Sequence, residues 1–586
     1  MKSLSNYNKY PVVDVPGNHA VWTGWNTILA EIEKRLDAFS CSRKKLVIEC
    51  YPGILDGEVE VAFRESFKNA CFINASEAML AEEEINEKLR EDITDDEVFG
   101  YITRYNIDCY FDPAKVARLR NSMVSASAEV IIVYGVGAAY IAQQSDLLVY
   151  ADLARWEIQM RFRKNRISNI GVDNKTERPS LQYKRAFFVD WRICDRFKKK
   201  LMRKWDYVLD TNIPGEPKMI TGRTFFEGLR EAVRRPFRVV PFFDPGPWGG
   251  QWMKEVCDLD REKTNYAWCF DCVPEENSLL LRIGAVTFEI PALDLVFAYP
   301  RELLGEPVYA RFGDEFPIRF DFLDTMKGGN LSLQVHPSTE YIREKFGMHY
   351  TQDESYYLLD AEDDAAVYLG LQEHVRPESV MKELEKAQAT GAFDAEKYIG
   401  RYPVKKHMHV SIPAGTVHCS GKNAMVLEIS ATPYIFTFKV WDWGRLGLDG
   451  RPRPIHMGHA TKVIRWDRTE SWVRNEIFGR VEKVAEGDGW VEERTGLHES
   501  ECIETRRHWF SKPVLHRTNG CVHVLNLIEG REVLVESPSG AFEPYTIHYA
   551  ETFIVPGSVT EYTIRPYGES EGKRCATIKA YIRNHA

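Results

Sequence analysis

Apolar and polar positions follow two rhythms along this chain. Through about residue 235, short apolar runs alternate with longer amphipathic ones. "KKLVIECYP" (Lys44–Pro52), "AEVIIVYGVG" (Ala128–Gly137) and "DLLVYADL" (Asp146–Leu153) predict buried strands of a parallel sheet. "EAMLAEEEINEKLRED" and "RWEIQMRFRKNR" predict helices between them. That alternation is the pattern of an α/β layer fold. "RRPFRVVPFFDPGPWGGQW" (Arg234–Trp252) is rich in Pro and Gly and marks a boundary. Beyond it the runs become short and closely spaced: "SLLLRIGAVTFEIP", "NLSLQVHP", "ESYYLLDAEDDAAVYLG", "MHVSIPAGTVHCSG" and "AMVLEIS". These predict an antiparallel barrel or sandwich. A helical insert at about 376–402 interrupts it. From about Trp472 a second all-β stretch follows, and its "VPGSV" echoes the earlier "IPAGTV". The predicted organisation is therefore multidomain: α/β over 1–235, β with the insert over 236–470, and a second β domain of the same type over 471–586.

Composition narrows this picture. A length of 586 residues suggests three or four domains. With 44% hydrophobic and 12% aromatic residues the chain is globular, not disordered. A formal net charge of −10 argues against a nucleic-acid partner. No apolar run reaches membrane-spanning length, so no membrane partner is expected. "MKSLSNYNKYPVVDVPG" lacks the apolar core of a secretory signal. The twelve cysteines are scattered, which predicts free thiols in a reducing cytoplasm. Cys269 and Cys272 form one C-x-x-C without a second pair, a weak hint of zinc or redox chemistry.

The chemistry lies in the first β stretch. In "LSLQVHPSTE" a strand carries Gln334 and His336 two positions apart, hence on one face. Glu354 follows in "TQDESYYLLDAE" and His418 in "SIPAGTVHCSG". On neighbouring strands, these four side chains could converge on a divalent metal. Spacing alone leaves the alternative open that His336 and His418 are hydrogen-bonded core residues.

From about Pro247 to Ala460 the chain resembles the class I mannose-6-phosphate isomerases, zinc enzymes built of two cupins. The matching segments occur in order: "PWGGQW", "WCFDCVPEENSLLL", "LLGEPVYARFGDEFPIRFDFLDT", "LSLQVHPSTEY", "DESYYLLDAEDDAAVYLG", "IPAGTVHCSGKNAMVLEIS" and "WDWGRLGLDGRPRPIHMGHA". The resemblance implies a double cupin (β-barrel or jelly roll), with metal in the first barrel and none in the second. It implies one Zn²⁺ per chain, held by Gln334, His336, Glu354 and His418. It implies an aldose–ketose isomerase that moves a proton between C1 and C2 of mannose 6-phosphate or a related sugar through a cis-enediol. Glu428 in "MVLEIS" becomes the candidate general base, with Lys439 as a second catalytic group. As an alternative, Glu428 anchors a core arginine. Ser332, Asp321, Gln352 and Arg445 become candidate substrate-binding residues, and His456 a residue that orients the pocket or merely packs.

Three positions depart from the family's pattern. Asp321 and Gln352 stand where the family carries lysines, and Lys439 where it carries arginine. A phosphate dianion needs cations or N–H donors, so mannose 6-phosphate is expected to be a poor substrate unless other cations compensate. Arg319, Arg343, Lys345 and Arg445 lie in the same segments, and Arg319 is placed to pair with Asp321. Two other readings stay open: an isomerase of an unphosphorylated sugar, and a sugar-sensing binding protein without catalysis.

The first ~235 residues are loosely similar to P-loop nucleoside and uridine kinases; the plainer reading is an unrelated α/β domain. "YPGILDGEVE" follows the first strand where a phosphate loop would stand, but lacks the Gly-Lys-Ser/Thr ending that grips β- and γ-phosphates and Mg²⁺. Calorimetric titration with Mg-ATP should therefore show weak binding or none. Micromolar affinity with turnover would mean the site is divergent rather than dead.

Overall fold

The computed structural model describes residues 5–583 except 433, 435, 447–452, 454 and 497. The chain divides into two compact units. One comprises residues 12–231 and 278–298; the other comprises 1–11, 232–277 and 299–586.

The first unit is the expected α/β layer. β1 (Lys44–Cys50) is followed by helix α1 (Asp56–Ser66), then β2 (Cys71–Asn74), β3 (Val130–Gly135), β4 (Leu147–Asp152), helix α2 (Arg155–Arg163) and β5 (Tyr207–Asp210). These five strands are parallel, in the order β2-β3-β1-β4-β5. Two antiparallel strands, Lys218–Thr221 and Val21–Thr23, extend the β5 edge to seven. The apolar runs are continuous because both faces of the sheet are covered; six of seven β1 residues are buried. Of the expected helix at 77–92, the first turns are a 3-10 segment (Ala75–Ala78), and the α-helix begins at Glu82.

The hairpin "SLLLRIGAVTFEIP" differs from expectation. Its strands Ser278–Ile283 and Val286–Pro291 lie in the α/β unit, and Ser278–Ile283 pairs in parallel with Val12–Asp14. Behind it, Lys198 bridges Asp152 at 2.6 Å and Asp294 at 2.5 Å, all fully buried. A buried amine needs such partners, and Asp294 supplies one from the stretch 278–298.

The second unit holds both β stretches. Its strands are β6 (Phe242–Asp244), β7 (Trp268–Cys272), β8 (Arg319–Asp324), β9 (Leu333–Val335), β10 (Glu354–Ala361), β11 (Ala366–Leu371), β12 (Ile399–Pro403), β13 (His409–Ile412), β14 (His418–Ser420), β15 (Ala424–Ser430) and β16 (Phe438–Trp441). They form a six-stranded sheet, β13-β10-β15-β8-β7-β6, and a five-stranded sheet, β12-β11-β14-β9-β16. Helix α3 (Pro377–Thr390) is the insert; Pro at its start suits an unbonded first turn, and Gly391 at φ 69° ends it. The insert is shorter than expected, because Ile399–Pro403 forms strand β12. The second sandwich pairs β17 (Val481–Gly487), β18 (Trp490–Thr495), β19 (Ile503–Phe510), β21 (His523–Glu529), β24 (Thr552–Val555) and β26 (Cys575–Ile582) in the order β17-β18-β19-β26-β21-β24. Its other sheet is β20 (Val514–Arg517), β25 (Glu561–Pro566), β22 (Glu532–Glu536) and β23 (Tyr545–His548). All twelve cysteines are free; Cys269 and Cys272 are buried on β7, and burial raises both thiols. Among the described residues no helix is long and apolar enough to cross a membrane.

Polar groups join the two sandwiches. Arg238 meets Glu551 at 2.8 Å and Asp271 at 3.7 Å. His409 sits between Thr495 Oγ1 (2.9 Å from Nδ1) and Ser355 Oγ (2.8 Å from Nε2). Burial, then the charge of Arg507, depresses His409 to about 3. Unfolded, the imidazole protonates near 6.5, so between pH 6.5 and about 3 only the unfolded chain takes the proton. This residue's share of stability falls as pH drops through that window, by about 1.4 kcal/mol per unit. Urea unfolding of His409→Gln should show a shallower loss of stability from pH 6.5 towards 4 than the parent; an identical slope would remove His409 as the cause.

Candidate metal centre and active site

The two sheets of the first sandwich bring the expected ligands together. β9 carries Gln334 and leads into His336; β14 begins at His418, opposite Gln334. These lie on the five-stranded sheet, while Glu354 opens β10 on the six-stranded one. Glu354 Oε1 lies 3.1 Å from His336 Nε2 and 2.7 Å from His418 Nε2. The three side chains are buried, with ligand atoms within 4.8 Å of one another. Donor atoms bonded at ~2.1 Å to a tetrahedral zinc would lie roughly 3.4 Å apart.

Each imidazole is held by its other nitrogen. His336 Nδ1 is 3.0 Å from Phe436 O, and His418 Nδ1 is 2.8 Å from Thr416 O. A proton on Nδ1 leaves the Nε2 lone pair facing inward, the usual support for a metal-binding histidine. His336 Nε2 and Glu354 Oε1 are buried without a hydrogen-bond partner. Orphaned lone pairs converging on one point fit a cation. Gln334 Nε2 is 3.2 Å from His418 Nε2; a half-turn of the amide would present Oε1 instead. Burial alone would raise the Glu354 carboxyl, but His336 and His418 pull it well below the usual range. Burial opposes charge on His336, and Glu354 outweighs it, leaving that imidazole raised.

Beside this cluster lies a cavity of about 160 Å³, lined in part by Asp321, Ser332, Gln334, Gln352, Glu428, Lys439 and Arg453. Glu428 on β15 stands directly opposite Asp321 on β8. Burial first, then the carboxylates of Glu354 and Asp321, push Glu428 well above the usual range. Arg319 donates to Asp321 at 2.5 Å, as the alternation on that strand suggested; even so, burial carries Asp321 up to about 6. Gln352 links the parts. Its Oε1 accepts from Phe436 N–H at 3.0 Å, which fixes the amide, and its Nε2 donates to Glu354 (3.1 Å) and Glu428 (3.3 Å).

On the opposite sheet, Lys439 on β16 pairs with Gln334. Burial, then Arg453, lowers its amine to about 7. Asp442 holds Arg453 at 3.1 Å and Arg445 at 2.7 Å. Arg445 also donates to Asn330 O, and it is not among the residues lining the cavity. Ser332 is among them. His456 clamps the β16 backbone, accepting from Lys439 N–H at 3.2 Å and donating its own N–H to Lys439 O at 2.8 Å. Arg453 is the charged residue among the cavity residues that sequence reasoning missed. It sits in "GRPRPIH", whose neighbours 447–452 and 454 fall outside the described residues, and only its cationic character hinted at a role.

Residues 24–234 match a sequence family described as a domain of unknown function (DUF8485). The chain is also similar to curated isomerases. A mannose-6-phosphate isomerase of Streptococcus mutans is 29% identical over 219 residues, 37% of this chain and 64% of the relative. The probable mannose-6-phosphate isomerase GmuF of Bacillus subtilis is 27% identical over 234 residues, 40% of this chain and 69% of the relative. The chain thus spans less than two thirds of the S. mutans protein. A crystal structure of mannose 6-phosphate isomerase from Bacillus subtilis aligns with 59% of this chain and 99% of its own, at 20% identity and a TM-score of 0.48.

Gln352 makes the sharpest structural test of the site. Gln352→Leu strips a buried N–H and two buried carboxylates of a partner at once. Each orphaned group costs about 1–3 kcal/mol, so the urea midpoint should fall clearly at unchanged slope; a midpoint equal to the parent's would show that the bridge carries no weight.

Proposed function

We propose that the first sandwich is the metal-dependent centre of an aldose–ketose isomerase acting on a hexose phosphate, in the direction mannose 6-phosphate to fructose 6-phosphate or the reverse. One observation carries the reading. A single cavity, lined by Gln334 beside the buried His336/Glu354/His418 cluster and by the raised carboxyl of Glu428, also takes in Lys439 and Arg453. The names of the similar proteins point the same way.

Gln334, His336, Glu354 and His418 would hold the ion, with zinc the best match to two imidazoles and a carboxylate. Such an ion supplies Lewis-acid polarisation of a sugar oxygen. Glu428 takes the carbon-bound proton and returns it to the neighbouring carbon. Its raised pKa makes its ionised form a stronger base than an ordinary carboxylate. Gln352 keeps it in place. Lys439, near 7, can carry the proton exchanged between the two sugar oxygens. Arg453 holds the phosphate, with Ser332 and the Asp321–Arg319 pair facing hydroxyls. These assignments weigh against the expectation of poor phosphate recognition. That expectation allowed for compensating cations and for an Arg319–Asp321 pair; the pair is present at 2.5 Å, and Arg453 is a further cation that it did not include.

For the α/β unit we infer a kinase-like layout that does not hold nucleotide. The loop after central strand β1 stands where open α/β sheets bind ligands. Arg161 of α2, however, donates to Gly53 O of that loop (2.9 Å) and to Thr211 O just after β5 (2.7 Å) and is 3% exposed, so it is spent on backbone carbonyls.

Glu428→Gln should lower kcat by about 10²- to 10⁴-fold while elemental analysis still finds one metal per chain; His336→Ala with His418→Ala should abolish the metal. Arg453→Met should raise KM for mannose 6-phosphate by about 10- to 100-fold and leave free mannose unaffected. The reading fails if the metal-loaded protein does not interconvert the two sugar phosphates, or if Glu428→Gln turns over normally.

A further inference from the structure

The second sandwich has a polar interior that the proposed reaction leaves unused. Its core is set by Phe510, Val514, Leu525, Phe553, Tyr562 and Cys575. Residues an even number of positions from these share their face. That rule turns Arg506 and His508 of β19, His516 of β20, His523 of β21, and Thr577 and Lys579 of β26 inward. Cross-strand register brings them together. His508 faces Thr577 and Arg506 faces Lys579 between β19 and β26, while Lys579 also stands opposite Leu525. His508 and His516 span the two sheets, their rings 4.6 Å apart. The three histidines are each 3% exposed and Lys579 is 7% exposed. Arg506 and Tyr581 are only half-buried, so the polar end is the one that meets solvent.

Much of this cluster lacks partners. His508 Nε2 lies 3.3 Å from Glu492 Oε1, and His523 Nδ1 lies 2.8 Å from Tyr562 Oη. Five buried atoms have no hydrogen-bond partner: His508 Nδ1, His516 Nε2, Thr577 Oγ1, and Nε and Nη1 of Arg506. Lys579 has its amine against the Tyr581 ring at 5.5 Å, and among the described residues no carboxylate lies within ion-pairing distance of it. Buried polar atoms are seldom left unsatisfied, and here they gather on one inner face.

Charge selects the occupant. Glu504 is shared by three guanidiniums, those of Arg494, Arg506 and Arg583. Glu492 pairs with His508 and also draws on Lys579, as does Glu504, yet neither reaches ion-pairing distance of that amine, which burial lowers to about 8. A divalent cation would be repelled by Lys579 and Arg506 despite the imidazoles. Burial, and then the neighbouring Lys579 and imidazoles, hold His516 and His523 well below their usual value.

We propose that the interior of the second sandwich is a binding site for a small oxyanion, the phosphate or carboxylate group of a metabolite, seated against Arg506, His508, His516, Thr577 and Lys579. The guanidinium, the hydroxyl and the amine donate to it. Its negative charge relieves the suppression of the imidazoles, so binding takes up protons. The proposal does not depend on the reading of the first sandwich.

The test is calorimetric titration of inorganic phosphate into the full-length, metal-loaded chain carrying Lys439→Met and Arg453→Met, which removes the phosphate holders assigned to the first sandwich. One site per chain should remain, with proton uptake shown by heats that differ between buffers of unequal ionisation enthalpy. Adding Lys579→Met should weaken it about 10- to 100-fold. Arg506→Met, at a half-buried position, serves if the lysine variant does not fold. A parallel titration with acetate identifies whether the phosphate or the carboxylate form binds better. Absence of binding by both anions overturns the proposal, as does affinity indifferent to both Lys579→Met and Arg506→Met. A second equivalent of zinc that is lost with His516→Ala would also overturn it, by making the cluster a metal site.

Discussion

A carboxylate locked between two imidazoles is the interaction on which the first sandwich depends. Glu354 has no solvent exposure, and an unpaired charge there would be prohibitively costly. His336 and His418 answer it at 3.1 and 2.7 Å. Because Glu354 belongs to one sheet and the histidines to the other, the contact also sets how closely the sheets approach. The backbone carbonyls of Phe436 and Thr416 take the remaining ring nitrogens, so neither imidazole can turn away. These contacts hold the three inward-facing ligand atoms within 4.8 Å of one another.

The cavity beside that cluster is polarised for the same reason. Acidic residues Asp321, Glu354 and Glu428 all belong to the six-stranded sheet, whereas Lys439 stands opposite Gln334 on the five-stranded one. Burial raises Glu428 and Asp321, with neighbouring carboxylates adding to it, and burial lowers the Lys439 amine, with Arg453 and Arg445 adding to it. Each group is thereby moved towards neutrality and proton exchange. Gln352 can stand where the resembled enzymes carry lysine because an amide, unlike an ammonium, both donates to two carboxylates and accepts from Phe436 N–H.

The two sandwiches use one architecture differently. The first gathers acids and imidazoles around a point of converging lone pairs. The second gathers cations and imidazoles around a point of unpaired donors. Strand alternation supplies the inward positions in both, and the sign of the residues at those positions decides what each interior can hold.

Much of this was legible from one-dimensional pattern, because strand periodicity and ligand order are local properties. The apolar runs at 44–52, 128–137 and 146–153 became parallel strands, and Gln334, His336, Glu354 and His418 could be named from their segments. The Arg319–Asp321 pair was readable too, since two positions along one strand share a face. What pairing across strands and sheets decided lay outside that reach. The hairpin at 278–291 looked like barrel, yet it pairs with Val12–Asp14, some 260 residues earlier in the chain. Ile399–Pro403 read as part of a helical insert but is held as a strand by Ala366–Leu371. Arg453 had no pattern to announce it, and the buried His508, His516 and Lys579 sit on strands whose sequences show only alternation. Periodicity determines which face a side chain takes; which other side chains share that space, and so which charges are paired and which are left open, depends on long-range packing.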